Sequence, residues 1–144
     1  MALTPYLHAF AIGAVAGSRS LTAPAATLAS RRSSLARTVG VLAAGELLAD
    51  KLPMTPSRLS PPVLGVRAVS GAWSGGAAAS ARRGSRVLGM AAGLGGALLG
   101  SWLGYTLRDN LVKKRGMPAL AVALGEDLIA LSAGYLLTRT AASE

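Results

Sequence analysis

The chain has 144 residues, of which 51% are hydrophobic and only 15% are charged. A soluble domain has about 25% charged residues, so this composition argues against an ordinary soluble protein. The formal net charge is +9, but the basic residues lie mostly in short loops between apolar runs. There they would meet anionic lipid headgroups rather than nucleic acid. Cysteine is absent, which excludes disulfides, thiolate metal sites and cysteine nucleophiles.

Five apolar segments are predicted to form hydrophobic helices, at about residues 5–30, 38–52, 62–81, 87–107 and 118–138. The first can cross a hydrocarbon core of ~30 Å at about 1.5 Å per residue. Because no basic region precedes it, we expect a retained span and not a signal peptide. The second segment is barely long enough to span, so a re-entrant helix shielded by protein or water is the alternative. Basic or proline-rich loops are predicted between the segments, the last of them at residues 108–116.

The sequence contains two similar blocks. Residues 13–18 read GAVAGS and residues 96–101 read GALLGS, and each block is followed by an apolar run with a central Gly-Glu pair, at 41–50 and 121–130. This predicts a single membrane domain over residues 1–144, built as a short inverted repeat. Repeat one covers about 5–53, a connector helix covers about 61–81, and repeat two covers about 87–138. The odd number of crossings between the copies would make their topologies opposite.

The basic loops give no orientation in the membrane. If the five segments cross the membrane alternately, seven basic residues lie on one side and six on the other. The positive-inside rule therefore favours neither orientation. Either the protein inserts both ways round, or one segment does not span.

Six charged residues are predicted to lie within the apolar segments, where an ionised side chain is costly and is a functional hypothesis by default. They are Arg19, Glu46, Asp50, Arg67, Glu126 and Asp127. Glu46 and Asp50 are four residues apart and share a helix face, although Asp50 next to Lys51 is also typical of a solvated helix end. Glu126 and Asp127 diverge by about 100° on a helix, so at most one faces the same cavity as Glu46.

The surroundings of Arg19 predict a discontinuous helix. Residues 17–24 read GSRSLTAP, a string that weakens regular helix and would expose backbone groups, as broken helices in transporters do. The alternative is a mild kink whose hydroxyls bond the preceding turn. For Arg67 the alternative is snorkelling to the interface. Arg19 and Arg67 together would neutralise Glu46 and one of Glu126 or Asp127, either as structural ion pairs or as a substrate or proton pathway.

Small residues recur at four-residue spacing, which allows close helix contact and is typical of packing or dimer faces. They are Gly13 and Gly17, Gly71 and Gly75, Gly89 and Gly93, and Gly96, Gly100 and Gly104. A homo-oligomer, with a dimer favoured, is therefore expected. The lone His8 has no partner at ligand spacing, and no Ser–His–Asp set is within reach. We expect no metal, no cofactor and no enzymatic activity.

Several of these stretches resemble an uncharacterised bacterial integral-membrane family, domain of unknown function 4126. Residues 46–53 (ELLADKLP) are similar to its E-x-x-A-D-K-x-P signature, and residues 67–72 (RAVSGA) to its R-x-x-x-G-A block. Residues 124–130 (LGEDLIA) resemble its L-x-E-D-x-x-A block, and residues 17–24 its broken-helix stretch. The chain departs from the pattern in its compactness and in Ser20 and Thr22. The resemblance implies a polytopic protein of the bacterial inner membrane and lends no activity.

Three functions remain open. The first is a small transporter or channel in which Glu46 and Glu126 bind protons or cations and Arg19 and Arg67 are counter-charges or an anion site. The second is a structural or accessory membrane protein whose buried ion pairs hold the bundle or a partner helix. The third is binding of anionic lipid headgroups through the two arginines. The partners expected are the bilayer, its headgroups and a small ion or solute.

Overall fold

The computed structural model describes residues 3–30, 34–49 and 60–139, and these ranges contain six α-helices and no β-strand. The all-α prediction is confirmed at that level. The helices are α1 (Thr4–Ser18), α2 (Thr22–Ser30), α3 (Ala36–Ala49), α4 (Pro61–Ala81), α5 (Arg86–Asp109) and α6 (Ala119–Arg139).

The first apolar segment forms two helices, α1 and α2. Helix α1 ends at Ser18, and Arg19 takes an extended backbone conformation with φ −144° and ψ 113°. The break predicted from residues 17–24 is therefore present, and the first apolar segment contains two helices in place of one continuous helix. At about 1.5 Å per residue, the 15 residues of α1 and the 14 residues of α3 are each shorter than a ~30 Å hydrocarbon core.

A tight turn joins α4 to α5. Arg83 has φ 56°, and the N–H of Gly84 donates to Ala79 O at 2.8 Å. The hydroxyl of Tyr6, near the start of α1, accepts the N–H of Ser85 at 3.2 Å. The turn is thereby tied to the beginning of α1, and α1, α4 and α5 meet at this end of the bundle.

The loop predicted at residues 108–116 is mostly helical, which corrects the sequence prediction. Helix α5 runs to Asp109 and continues as one π-helical turn, Asn110–Lys114. Leu, Lys and Arg are good helix formers, so charge alone does not end a helix. The chain turns at Gly116, whose φ is 65°, and Pro118 follows just before α6. Glycine and proline, and not the basic residues, therefore mark the end of the helix.

Helices α1, α4 and α5 form a close-packed triplet. Between α4 and α5, a Cβ added to Gly75 would lie 2.7 Å from Gly93 Cα, and one added to Gly89 would meet Ala79 Cβ and the backbone of Gly76. Because no side chain separates the backbones at these positions, only glycine fits. The predicted small-residue faces are thus used inside the chain, and they do not by themselves support a dimer.

The two similar blocks of the sequence pack against each other. A Cβ on Gly17, in the first block, would meet Ala97 O and lie 2.7 Å from Ser101 N, both in the second block. The first block ends its helix at Ser18, whereas α5 continues well past Ser101. Residues 5–53 contain three described helices and residues 87–138 contain two with a π-helical turn. The inverted repeat stays a prediction. The two blocks could also be similar because both need small residues where their helices touch.

The distribution of polarity is the reverse of that in a soluble domain. Among side chains with less than 2% exposure in the described residues, the two largest are Arg19 and Arg67. Large apolar side chains lie outside, with Leu128 at 68% and Ile129 at 69% exposure. Two helical stretches, Arg86–Lys114 and Ala119–Leu137, are long and apolar enough to cross a membrane, with mean hydropathy of 1.5 and 1.6.

Candidate functional site

At the break between α1 and α2, two backbone carbonyls accept hydrogen bonds from other helices. Gly17 O accepts two hydrogen bonds, one from Arg67 Nη1 in α4 at 3.0 Å and one from Ser101 Oγ in α5 at 2.9 Å. Ser20 O accepts one from Ser70 Oγ in α4. An unsatisfied carbonyl costs several kcal/mol in a bilayer, so these donors are what allow a break at this position.

Arg19 and Asp127 form a buried ion pair at the break. The Nη2 atom of Arg19 donates to Asp127 Oδ1, and the two side chains are 1% and 9% exposed. The extended backbone of Arg19 turns this residue out of the α1 helix, and the side chain reaches α6. The pair therefore connects the break to a helix from the far end of the chain.

Arg67 is held inside the bundle and does not snorkel. It is 1% exposed and donates to Gly17 O, because α4 packs closely on α1 at this level. Arg67 therefore reaches, from α4, the break that contains Arg19. Their exposure leaves neither guanidinium at the surface, where a lipid headgroup would meet it in this conformation.

The two neighbouring acids of α6 have different surroundings. Asp127 is buried against Arg19, whereas Glu126 is half-buried with both carboxylate oxygens shielded from solvent. This agrees with the predicted divergence of adjacent residues on a helix and identifies Asp127 as the acid that neutralises Arg19. The sequence alone left the choice between the two acids open.

The acids of the second segment are only partly placed. Glu46 belongs to helix α3, but its side chain lies outside the described part of the structure. Asp50 and Lys51 lie outside the described residues altogether. The predicted shared face of Glu46 and Asp50, and the predicted pathway through Glu46, therefore stay predictions.

The hydroxyl of Thr22, the first residue of α2, also lies at the break. The residue is 5% exposed, and Thr22 Oγ1 is buried without a hydrogen-bond partner within the described ranges. A buried hydroxyl normally has a partner, so this one calls for a physical account. Ser74 Oγ in the middle of α4 is buried and unpartnered in the same sense.

An open cleft of about 570 Å³ lies beside the break, between α2 and α4. Its lining is apolar except for one hydroxyl, that of Ser70, and includes Leu21, Pro24, Val69 and Trp73. Ser70 also donates to Ser20 O, so the cleft reaches the edge of the break. The buried arginines do not line it.

Sequence reasoning missed three contributors to this site, namely Ser70, Ser101 and Thr22. Ser101 is the last residue of the second similar block, and Ser70 lies one helical turn after Arg67. Both serines are therefore close to residues that the sequence analysis names. What no pattern indicated was that their hydroxyls would bond carbonyls fifty or more residues away. Across residues 3–30, 34–49 and 60–139, no three acidic or histidine side chains lie close enough together to ligate a metal ion.

Comparison with known proteins adds no relative: no protein-family model, no curated protein and no solved structure matches the chain.

Proposed function

We propose that this chain is a small integral membrane protein whose broken helix carries an ion or small solute across the bilayer. Support for the membrane comes from the distribution of polarity. Small residues and arginines lie in the interior, and large apolar side chains, mostly leucines, cover α5 and α6. In water this would expose a large apolar surface, whereas in lipid it is the expected arrangement. We also propose that this membrane is the bacterial inner membrane, and that the chain is related to the uncharacterised family that it resembles.

The observation that carries the transport proposal is the Arg19–Asp127 pair at the break. Charged groups beside a discontinuous helix are how many transporters hold substrates and coupling ions. A buried pair is also costly compared with apolar packing, so its presence favours a use beyond stability. In this proposal Asp127 is the protonatable or ion-binding group, with Arg19 and Arg67 as counter-charges. Glu46 and Glu126 keep the role predicted for them.

Flux measurements in proteoliposomes test the proposal. The wild-type protein should dissipate imposed proton or salt gradients faster than empty vesicles, as read by a pH-sensitive dye and by ion-selective electrodes. The double variant Arg19→Gln/Asp127→Asn keeps the size of both side chains and removes their charges, and we expect at least about tenfold slower flux.

The matched control removes an exposed ion pair of the same chain. Lys113 Nζ lies 2.6 Å from Asp109 Oδ1, with side chains 73% and 36% exposed. Lys113→Gln/Asp109→Asn should leave the flux unchanged. Wild-type flux through a folded Arg19→Gln/Asp127→Asn protein would refute a transport role for the pair.

A structural or accessory function is the second candidate, and a different observation favours it. Both carbonyls described above, Gly17 O and Ser20 O, are satisfied by donors from α4 or α5. The break and its ion pair would then serve to hold α2 and α6 on the triplet. Vesicles containing wild-type protein would in that case show no flux above empty vesicles for any ion tested.

A further inference from the structure

We infer that the N-terminus of α2, at the break, binds a small inorganic anion. That this anion is the ion carried across the membrane rests on the proposed function, whereas the binding itself rests on the groups that surround the break. The inference assigns a role to the buried hydroxyl of Thr22, which neither the ion pair nor the carbonyl contacts use.

Three acceptor atoms at the break already receive hydrogen bonds. Gly17 O accepts from Arg67 and Ser101, and Ser20 O accepts from Ser70. The carboxylate of Asp127 accepts from Arg19. A cation at this position would need these same oxygens, and it would also meet two arginines. The occupied acceptors therefore argue against a cation.

The first turn of α2 supplies donor groups at the break. Helix α2 has nine residues, and its first turn contains the N–H groups of Thr22 and Ala23, for which a helix supplies no carbonyl four residues back. Pro24 at the next position has no N–H to satisfy. Thr22 Oγ1 is buried and unpartnered beside these groups. A hydroxyl and orphan N–H groups at the positive end of a helix are a typical anion site.

The hydroxyl of Thr22 is buried with the first turn of α2 and directed away from α6. Ser20, Thr22 and Ala23 are 6%, 5% and 0% exposed, so the first turn of α2 lies within the bundle. The methyl group of Thr22 faces Gly134 of α6, which directs the hydroxyl away from that helix.

The formal charges near the break offset one another. Arg19 and Arg67 are basic, and Asp127 and its neighbour Glu126 are acidic. The preference for an anion therefore comes from the donors and the helix end, and not from a net positive charge.

Bromide is the probe for the binding experiment. The purified protein is unfolded thermally in detergent over a range of sodium bromide concentrations, with sodium gluconate holding the ionic strength constant. We expect a saturable rise in Tm with bromide for the wild type, because a ligand that binds only the folded state stabilises it. Thr22→Val should weaken the apparent affinity about tenfold or more, since a hydrogen bond to a charged group is lost.

Two control variants test whether the affinity for bromide depends on the hydroxyl at the start of α2 and not on the loss of any buried hydroxyl. Thr22→Ser keeps the hydroxyl and should keep the affinity. Ser74→Ala removes a hydroxyl that is equally buried and unpartnered but lies in mid-helix, and it should also leave the affinity unchanged. No bromide-dependent rise in Tm for the wild type, or equal affinities for wild type and Thr22→Val, would overturn the inference.

Flux measurements on the same protein distinguish this inference from the proposed function. Bromide binding that depends on Thr22, without flux in vesicles, would keep the anion site and reject transport. Flux carried by protons or cations, without bromide binding, would keep transport and reject the anion site.

Discussion

Opposite surroundings distinguish two sets of glycines, one at the helix contacts of the α1–α4–α5 triplet and one at open positions of α3 and α6. At Gly75 and Gly93 in the triplet, an added Cβ would meet the backbone of a neighbouring helix. At Gly40 and Gly45 in α3 and at Gly125 in α6, an added Cβ would meet nothing within 4 Å. The residue type is the same, but only the first group is required by packing.

The comparison shows two ways of holding helices together in one small bundle. The triplet relies on close backbone contact, whereas α6 is attached to the break by the Arg19–Asp127 pair and by lighter packing against α1 and α2. In the lipid environment of the proposed function, no hydrophobic force would drive the helices together, and a helix without close contact would depend on its polar links. Removing a charge should therefore destabilise the attachment of α6 most. Adding side-chain volume should destabilise the α1–α4–α5 triplet most.

The largest effect is expected from separating the charged pair. Arg19→Leu or Asp127→Leu should each lower the free energy of unfolding by about 3–5 kcal/mol, because each leaves one buried charge uncompensated. The double Leu variant should recover much of that loss. Thermal or denaturant unfolding of the four proteins in detergent measures the coupling. Additive losses in the double variant would show that the pair does not hold α6 in place.

Gly93→Ala tests the triplet. The new Cβ would lie 2.9 Å from Gly75 Cα, so the helices must separate, and we expect a loss of about 1–3 kcal/mol in the free energy of unfolding. The same substitution at an open glycine, Gly45→Ala in α3, is the control. If Gly93→Ala is as stable as that control, the close approach of α4 and α5 is absent in the folded protein.

Ser101→Ala tests the polar link between α5 and the break. Loss of the 2.9 Å bond to Gly17 O should lower the free energy of unfolding by about 1 kcal/mol. The effect should be modest because Gly17 O keeps its bond from Arg67. Ser80→Ala in α4 is the control, since that hydroxyl bonds its own helix at Gly76 O. Equal stabilities in unfolding measurements would mean that the α5 hydroxyl contributes nothing to the break.

The smallest expected effect has the opposite sign. Gly125→Ala in α6 fills open space and replaces the weaker helix former, so the free energy of unfolding should rise by up to about 1 kcal/mol. The Tm in detergent gives the sign directly. A lower Tm for Gly125→Ala would mean that a partner, such as a second copy of the chain, packs against this face of α6.

Much of the helical content and the position of the break could be predicted from local sequence. Gly17, the hydroxyl residues after it and Pro24 are each poor in mid-helix for local reasons, so their clustering indicated the break. Helix α5 and its π-helical turn extend to Lys114, beyond the end predicted at about residue 107, because lysine is a good helix former. Arg19 and Arg67 were identified as buried because they interrupt apolar runs.

By itself, the sequence determined that the chain is helical and rich in small residues, that its helices carry apolar outer surfaces, and that charges lie deep within them. These properties follow from residue type and spacing along one helix. Only the tertiary structure decided that Asp127 pairs with Arg19, and that Ser70 and Ser101 bond the carbonyls of the break. It also decided which glycines are required. Those choices depend on how helices distant in sequence rotate and approach one another, and local propensity carries no information about that.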